Sequence, residues 1–171
     1  MTPNPKDFSD ELLSVMKENE NICNHIHLPL QSGSTAILKR MNRHYTKESY
    51  LSLLRKIKES LPDLGLTTDI IVGFPGETEE DFAAGLAFVR QMGFARMHVF
   101  PYSARRGTPA ARRTDQIPPT VRKERAARMQ AVAEELAEAY HRMALGTVEG
   151  VLFETEENGV TDGLTGTYIR V

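Results

Sequence analysis

Cysteine is almost absent from this sequence, because the 171 residues contain only Cys23. A single thiol cannot form an internal disulfide, and it cannot supply a zinc or iron–sulfur site that needs several thiolates. Disulfide-stabilised secreted domains and cysteine-rich metal modules are therefore excluded for this chain. The low cysteine content agrees with a reducing compartment.

Long apolar runs are also missing. No stretch approaches the roughly 18 apolar residues of a transmembrane helix, and the N-terminus lacks the basic, apolar and small-residue pattern of a secretory signal. With 40% hydrophobic and 26% charged residues, the chain is long enough for one ordinary core and a small appendage. We therefore expect a globular, cytoplasmic protein.

Two familiar catalytic signatures do not occur. No Ser-His-Asp or Cys-His-Asn order stands out along the chain, so no nucleophilic triad is indicated. The GFPGET segment at residues 73–78 lacks the GK[ST] ending of a nucleotide-binding P-loop. We therefore do not expect this loop to hold a phosphate group.

Basic residues are concentrated in one part of the chain. Residues 96–128 contain nine Arg or Lys against only Asp115 and Glu124, so this window carries +7 while the whole chain carries −2. Such a concentration is typical of a surface that binds an anionic partner. A solvated helix face followed by a loop would produce the same pattern, and both interpretations stay open.

The spacing of apolar residues predicts alternating strands and helices joined by short connections. Parallel βαβ units and an α/β fold follow from this order. The predicted helices cover 8–20, 35–42, 46–62, 78–93 and 118–145, and the predicted strands cover 22–30, 66–74 and 94–100.

A different composition begins after Gly146. Residues 148–154 and 164–171, with an Asn158-Gly159 turn between them, predict a β-hairpin. The preceding three parallel strands would leave a sheet edge with unpaired backbone groups, which intact domains usually cover. We therefore expect a fragment of a larger domain, able to associate with a second copy of itself through that edge.

Three loops follow the predicted strands, at residues 29–33, 73–77 and 101–108. Ligands of parallel α/β proteins bind at the carboxyl ends of the strands, where such loops meet. The loops offer amide and hydroxyl groups, glycine backbone, and an aromatic residue with cations, respectively. Ordinary turn formation explains the same residue types in any one loop.

Two polar features lie within the strands themselves. Asp69 interrupts an apolar run, so it either faces a ligand or bonds a neighbouring hydroxyl or amide group. Cys23, His25 and His27 alternate along one strand and project from one face, which could hold zinc or copper. No fourth ligand is evident, so we favour hydrogen-bonded or exposed histidines instead.

Several long motifs occur together and in order: HIHLPLQSGS, LKRMNRHYT, TTDIIVGFPGETEEDF, HVFPYSARRGTPAA and GLTGTYIRV. Across essentially the whole chain they resemble the radical SAM methylthiotransferase family. The HVFPYS segment followed by Arg105, Arg106, Gly107 and Thr108 is most similar to the branch that methylthiolates threonylcarbamoyladenosine beside the tRNA anticodon.

The resemblance implies how the chain is organised. Members of the family have an N-terminal iron–sulfur domain, a radical SAM partial (β/α) barrel and a C-terminal RNA-binding TRAM domain. Residues 1–117 would be the C-terminal half of the barrel, 118–146 a bridging helix and 147–171 the start of TRAM. The chain has no three-cysteine CxxxCxxC loop, so we expect a C-terminal fragment that is inactive alone, with no bound cofactor or metal.

The resemblance also implies cofactors and contact residues. Complete members use S-adenosylmethionine and two 4Fe–4S clusters, and a 5′-deoxyadenosyl radical removes hydrogen from adenosine C2. The residues expected at the S-adenosylmethionine site are Gln31, Ser32, Asp69, Gly73, Phe74, Pro75, Gly76, Glu77, Phe100 and Tyr102. Those expected at tRNA phosphates are Arg105, Arg106, Arg112 and Arg113.

Two alternatives remain at this point. The same family includes enzymes that methylthiolate an aspartate of a ribosomal protein. A non-enzymatic RNA-binding adaptor, built from the long helix and the hairpin, would also use the basic window. In the TRAM hairpin that the resemblance implies, Tyr168 could stack on RNA, although we favour a core position for it.

Overall fold

The computed structural model describes residues 3–171, which form an α/β structure with a separate hairpin. Its helices are α1 Asp10–Glu18, α2 Thr35–Arg40, α3 Lys47–Ser60, α4 Glu79–Met92 and α5 Pro119–Met143, and its strands are β1 His25–His27, β2 Gly65–Val72, β3 Arg96–Pro101, β4 Val151–Glu157 and β5 Val160–Thr165. Short 3-10 helices cover Pro5–Asp7 and Ala110–Arg112. None of the described helices is long and apolar enough to span a membrane.

Strands β1, β2 and β3 form a parallel sheet in that order. His27 pairs with Thr67, and Asp69 pairs with His98. Helices α2 and α3 connect β1 to β2, and α4 connects β2 to β3, which is the βαβ arrangement. The predicted α/β fold with parallel strands is confirmed.

Strand β1 is shorter than the predicted strand 22–30. The ladder ends early because the Thr68 hydroxyl replaces a main-chain partner: Leu30 N donates to Thr68 Oγ1 at 2.8 Å, and Thr68 Oγ1 donates to Leu28 O at 2.8 Å. Pro29 lies between these contacts and has no N–H to donate. A side chain about forty residues away therefore sets where β1 ends.

Local sequence signals set most helix ends. Thr46 and Thr78 cap α3 and α4, each in a capping box with the residue three positions later. Gly93 ends α4 with a left-handed φ of 63°, a conformation that favours glycine. These predicted boundaries are confirmed, and α5 begins and ends within two residues of its predicted limits.

The two faces of the sheet differ in polarity. Ile26, Leu66, Ile70 and Met97 lie on one face and belong to the buried core, together with α3 residues such as Tyr50. Alternation places His and Asp side chains on the opposite face, because successive side chains of a strand point to opposite sides. The hydrophobic core therefore packs on the apolar face of the sheet, and the polar face lines cavities.

The hairpin forms around the predicted Asn158-Gly159 turn, whose φ values of 54° and 77° are those of a type I′ turn. Its second strand ends at Thr165, earlier than predicted, because the chain then folds back on itself. Gly163 N donates to Val171 O at 3.0 Å, and Tyr168 adopts a φ of 67°. Tyr168 stacks on His25 of β1 at a centroid distance of 4.0 Å.

Candidate cofactor site

The loops after β1, β2 and β3 converge on one cavity of about 540 Å³. This volume lies within the usual range for small-molecule sites. Five residues of the predicted cofactor set and one predicted RNA-contact residue line it; in order they are Gln31, Asp69, Phe74, Phe100, Tyr102 and Arg105. Arg43 also lines it, although its motif gave no reason to single it out.

The first loop presents Gln31 in a left-handed conformation with a φ of 66°. Two hydrogen bonds fix it beside β2: Gln31 N donates to Asp69 O, and Ile71 N donates to Gln31 O, both at 2.9 Å. Ser32 is buried but does not line the cavity, and its hydroxyl accepts from Ser34 N at 3.2 Å.

Gly33 brings this loop against helix α4. A Cβ atom at Gly33 would lie 2.8 Å from Cα of Gly85 and 3.1 Å from Cβ of Phe88. A Cβ atom essentially never approaches a backbone atom as closely as 2.8 Å, so the loop reaches its position because residue 33 is glycine.

The second loop follows β2 and contains two glycines in left-handed conformation, Gly73 with a φ of 71° and Gly76 with a φ of 79°. A side chain at Gly73 would overlap Cγ of Arg122 on α5. Only Phe74 of this loop lines the cavity; Gly73, Pro75 and Gly76 do not. The glycines shape the loop so that the phenyl ring faces inward.

Glu77 is held away from the cavity in a buried ion pair. Arg125 donates to its carboxylate at 2.8 Å, and side-chain exposures of 6% for Arg125 and 4% for Glu77 leave the pair almost without water. Gly73 N donates to the same carboxylate oxygen at 2.7 Å. Burial raises the pKa of Glu77, while the Gly73 amide and Arg125 act in the opposite direction.

The third loop supplies aromatic surface. The rings of Phe74 and Tyr102 meet edge to face at a centroid distance of 5.2 Å, and Phe100 is half exposed. The Tyr102 hydroxyl is buried, and within residues 3–171 it has no hydrogen-bond partner. A buried hydroxyl without a partner is costly, so it is a natural contact for a bound ligand.

These groups fit S-adenosylmethionine, the ligand that the motifs imply. Aromatic rings suit the adenine base, while the Gln31 amide and the Tyr102 hydroxyl can bond ribose or amino-acid atoms. An iron–sulfur cluster does not fit the described residues, because it needs several thiolates and Cys23 is exposed and alone.

The polar face of the sheet carries a chain of hydrogen-bonded side chains. The Thr67 hydroxyl lies 3.0 Å from His25 Nε2 and 2.9 Å from His27 Nδ1. Asp69 continues the chain, 3.2 Å from His27 Nε2 and 3.2 Å from His98 Nδ1. Burial lowers the pKa of His25 to about 4, so this imidazole is neutral at pH 7.

The grouping of Cys23 with His25 and His27 does not form in the described structure. Cys23 is exposed, and both imidazoles turn to the Thr67 hydroxyl. His98 joins the polar face instead. The alternation of β3 could have indicated this position, but only together with the register that pairs His98 with Asp69.

Three of the nine basic residues in 96–128 make ion pairs with carboxylates of the described chain. Arg113 pairs with Asp115 at 2.5 Å, Arg125 with Glu77, and Arg128 with Glu79 at 2.8 Å. The part of the basic window that makes no ion pair within residues 3–171 consists of Arg96, Arg105, Arg106, Arg112, Arg122 and Lys123. Three of the four arginines expected at tRNA phosphates belong to this group.

Comparison with known families identifies the barrel. The family model described as the Radical SAM superfamily matches residues 1–89. The chain belongs to the radical SAM superfamily. The matched region contains β1, β2 and the first two loops of the cavity, so the candidate cofactor site lies in large part within it.

Curated relatives refine the family. The chain is 50% identical over 169 residues to the tRNA-2-methylthio-N(6)-dimethylallyladenosine synthase of Caldicellulosiruptor saccharolyticus, covering 98% of this chain and 36% of the relative. It is 44% identical over 169 residues to a threonylcarbamoyladenosine tRNA methylthiotransferase of Bacillus subtilis, covering 96% of this chain and 38% of that relative. The radical SAM methylthiotransferase resemblance is confirmed. The chain spans roughly a third of the length of these relatives.

Solved structures support the same fold. Coproporphyrinogen III oxidase from Escherichia coli, a radical SAM enzyme, aligns with a TM-score of 0.65 at 21% identity, over 79% of this chain and 31% of that one. The archaeal Elp3 of Methanocaldococcus infernus aligns with a TM-score of 0.61 at 15% identity, over 96% of this chain and 51% of that one. The expected partial radical SAM barrel is therefore confirmed.

Proposed function

We propose that this chain forms one side of the S-adenosylmethionine-binding site of an enzyme that methylthiolates an adenosine beside the tRNA anticodon. The observation that carries the proposal is the convergence of three motif loops on one cavity, with Gln31, Phe74 and Tyr102 facing it. The identity of about half the residues to tRNA methylthiotransferases over nearly the whole chain supports the same reaction class.

The residues of the cavity would position the cofactor. Phe74, Phe100 and Tyr102 would hold the adenine, and the Gln31 amide would bond the ribose or methionine part. When S-adenosylmethionine is bound and receives one electron from an iron–sulfur cluster of the complete protein, it would supply radical hydrogen abstraction. The protein's part is binding, orientation and exclusion of water, and in this chain the cavity residues carry that part.

We propose threonylcarbamoyladenosine, rather than dimethylallyladenosine, as the modified nucleoside. Its threonyl group carries a carboxylate, whereas a dimethylallyl group is apolar. Arg43 and Arg105 both line the cavity, and arginine is well suited to bind a carboxylate. The HVFPYS segment with Arg105 to Thr108 is similar to the threonylcarbamoyl branch.

Contacts with tRNA would come from the loop after β3 and from the segment that leads to α5. Arg105, Arg106 and Arg112 are exposed, and Arg113 is partly exposed beside Asp115. Contacts of this kind to phosphate supply affinity and salt dependence but do not select the base. We further propose the division into barrel 1–117, bridging helix 118–146 and TRAM 147–171.

Deletion of the gene, followed by mass spectrometry of tRNA nucleosides, tests the function. We expect threonylcarbamoyladenosine to lose its methylthio group, and we expect the intact gene to restore it. Loss of the methylthio group from dimethylallyladenosine would overturn the choice of nucleoside. Unchanged tRNA, with loss of methylthiolation from a ribosomal-protein aspartate, would overturn the tRNA substrate.

A further inference from the structure

Three side chains from neighbouring strands meet on the polar face of the sheet. His27 comes from β1, Asp69 from β2 and His98 from β3. One ligand atom from each lies within 4.8 Å of the others. Strands of one hydrogen-bonded sheet hold these atoms, so the group is fixed by the fold and not by a flexible loop.

The two separations that involve Asp69 suit a small cation, and the two histidines lie within 4.8 Å of each other at their ligand atoms. Asp69 Oδ2 lies 3.2 Å from His27 Nε2, and Asp69 Oδ1 lies 3.2 Å from His98 Nδ1. Ligand atoms about 2.0–2.2 Å from a first-row metal ion are themselves about 3.0–3.5 Å apart. His98 is the most exposed of the three, with a side-chain exposure of 44%, so its ring can turn to complete the group.

Thr67 orients the first imidazole. Its hydroxyl lies 2.9 Å from His27 Nδ1, and a hydrogen bond at one imidazole nitrogen leaves the other free as a metal ligand. When Nδ1 donates to Thr67, the Nε2 lone pair faces the Asp69 carboxylate. In that tautomer, Nε2 is free to bind a cation that the Asp69 carboxylate also contacts. Within residues 3–171, Asp69 makes no ion pair with Lys or Arg.

We propose that His27, Asp69 and His98 form a binding site for a divalent first-row transition metal ion, such as Zn²⁺ or Fe²⁺. The ligands are His27 Nε2, the Asp69 carboxylate and His98 Nδ1. Two imidazoles and one carboxylate suit these ions and leave coordination positions open.

The open positions would face solvent-filled space. His98 lines a cavity of about 560 Å³, Asp69 lines the cofactor cavity of about 540 Å³, and Phe100 lines both. A metal ion at this point could therefore bind an oxygen or nitrogen donor from a ligand in either cavity. This site is separate from the thiolate-bound clusters of the family and does not depend on the proposed tRNA substrate.

Metal titration of the untagged 171-residue chain tests the site. We expect calorimetry with ZnCl₂ to give one ion per chain, and CoCl₂ to give visible absorption bands without a sulfur charge-transfer band. His27→Gln, Asp69→Asn and His98→Gln should each weaken Zn²⁺ binding by at least about tenfold. Circular dichroism and thermal melts of each variant confirm that it is folded.

Two matched variants separate this site from other donors. Cys23→Ser removes the only thiol, and His44→Gln removes an exposed imidazole outside the group. Both should bind Zn²⁺ as the unaltered chain does. Absence of Zn²⁺ binding would overturn the proposal and leave a hydrogen-bonded group only. Loss of binding in Cys23→Ser, or unchanged binding in folded Asp69→Asn, would overturn it equally.

Discussion

Arg125 donates to Glu77 twice, to the side-chain carboxylate at 2.8 Å and to the main-chain carbonyl at 2.9 Å. Through this pair, helix α5 holds the loop whose Phe74 faces the cofactor cavity. The pair is buried, so neither charge is compensated by water. Loss of this ion pair should therefore lower the stability of the folded protein.

Replacing Arg125 with Met should destabilise the protein strongly, because the Glu77 carboxylate would stay buried without its cation. We expect a loss of about 3–5 kcal/mol in the free energy of unfolding, measured by urea denaturation. Arg142→Met, on the same helix, removes an exposed cation that pairs with Glu138, and it should cost less than about 1 kcal/mol. Equal losses in the two variants would contradict the importance of burial.

Stability should also depend on pH through Glu77. Burial raises the pKa of Glu77 in the folded protein, so the folded state binds a proton more tightly than the unfolded state. This contribution is fully present below the unfolded pKa of about 4.5 and is lost as pH rises through the folded pKa.

Urea denaturation of the unaltered chain and Glu77→Gln at several pH values above 4.5 measures this effect. The unaltered chain should lose stability with rising pH more steeply than the variant, by at most about 1.4 kcal/mol per pH unit. Identical slopes would show that the Gly73 amide and Arg125 fully compensate for burial.

Thr68→Val should weaken the start of the cofactor loop. The hydroxyl of Thr68 bonds Leu30 N and Leu28 O, and its side chain is fully buried. A valine fills the same space but leaves Leu30 N unpaired, while Leu28 O keeps only its bond from the Tyr50 hydroxyl. We therefore expect a loss of about 1–3 kcal/mol in the free energy of unfolding. Thr161→Val, exposed on β5, is the control and should change stability little. An unchanged free energy of unfolding in Thr68→Val would contradict the role of the hydroxyl in ending β1.

Gly73→Ala should disturb the cofactor loop in two ways. Its φ of 71° disfavours a side chain by about 1–2 kcal/mol, and the added methyl group would overlap Arg122. We expect weaker S-adenosylmethionine binding by calorimetry and a lower melting temperature. Gly150→Ala is the control, since nothing lies within 4 Å of the position that its added methyl group would take. Unchanged binding in Gly73→Ala would show that this loop does not contribute to S-adenosylmethionine binding.

Tyr102→Phe should have opposite effects on stability and on binding. Because the hydroxyl has no partner within the described residues, its removal should leave the melting temperature unchanged or raise it. S-adenosylmethionine affinity should fall by roughly 0.5–1.5 kcal/mol if the hydroxyl bonds the cofactor. Tyr45→Phe, whose hydroxyl bonds Leu30 O at 3.2 Å, should lose stability instead. Unchanged affinity in Tyr102→Phe would exclude the hydroxyl as a contact.

Features that depend on a few adjacent residues could be predicted from the sequence. Thr46, Thr78 and Gly93 mark helix ends, and Asn158-Gly159 marks the hairpin turn, because capping and turn geometry need only neighbouring groups. The convergence of the three loops followed from parallel topology. The identity of the barrel came from long motifs and not from spacing.

Features that depend on distant residues could not be predicted in the same way. Thr68 shortens β1 through a hydroxyl about forty residues away, and Glu77 turns from the cavity because Arg125 on α5 reaches it. The association of His27 with His98 depends on the register of two strand pairs. A one-residue shift in register would move either side chain to the other face of the sheet.

Helix α5 contacts the second and third cofactor loops from positions one turn apart. Arg122 donates to the carbonyl of Tyr102, and Arg125 donates to Glu77. Neither loop can separate from the other without breaking a hydrogen bond to the same rigid helix. Slow opening of the cavity therefore requires α5 to move as a whole, and hydrogen exchange in both loops should follow the exchange of that one helix.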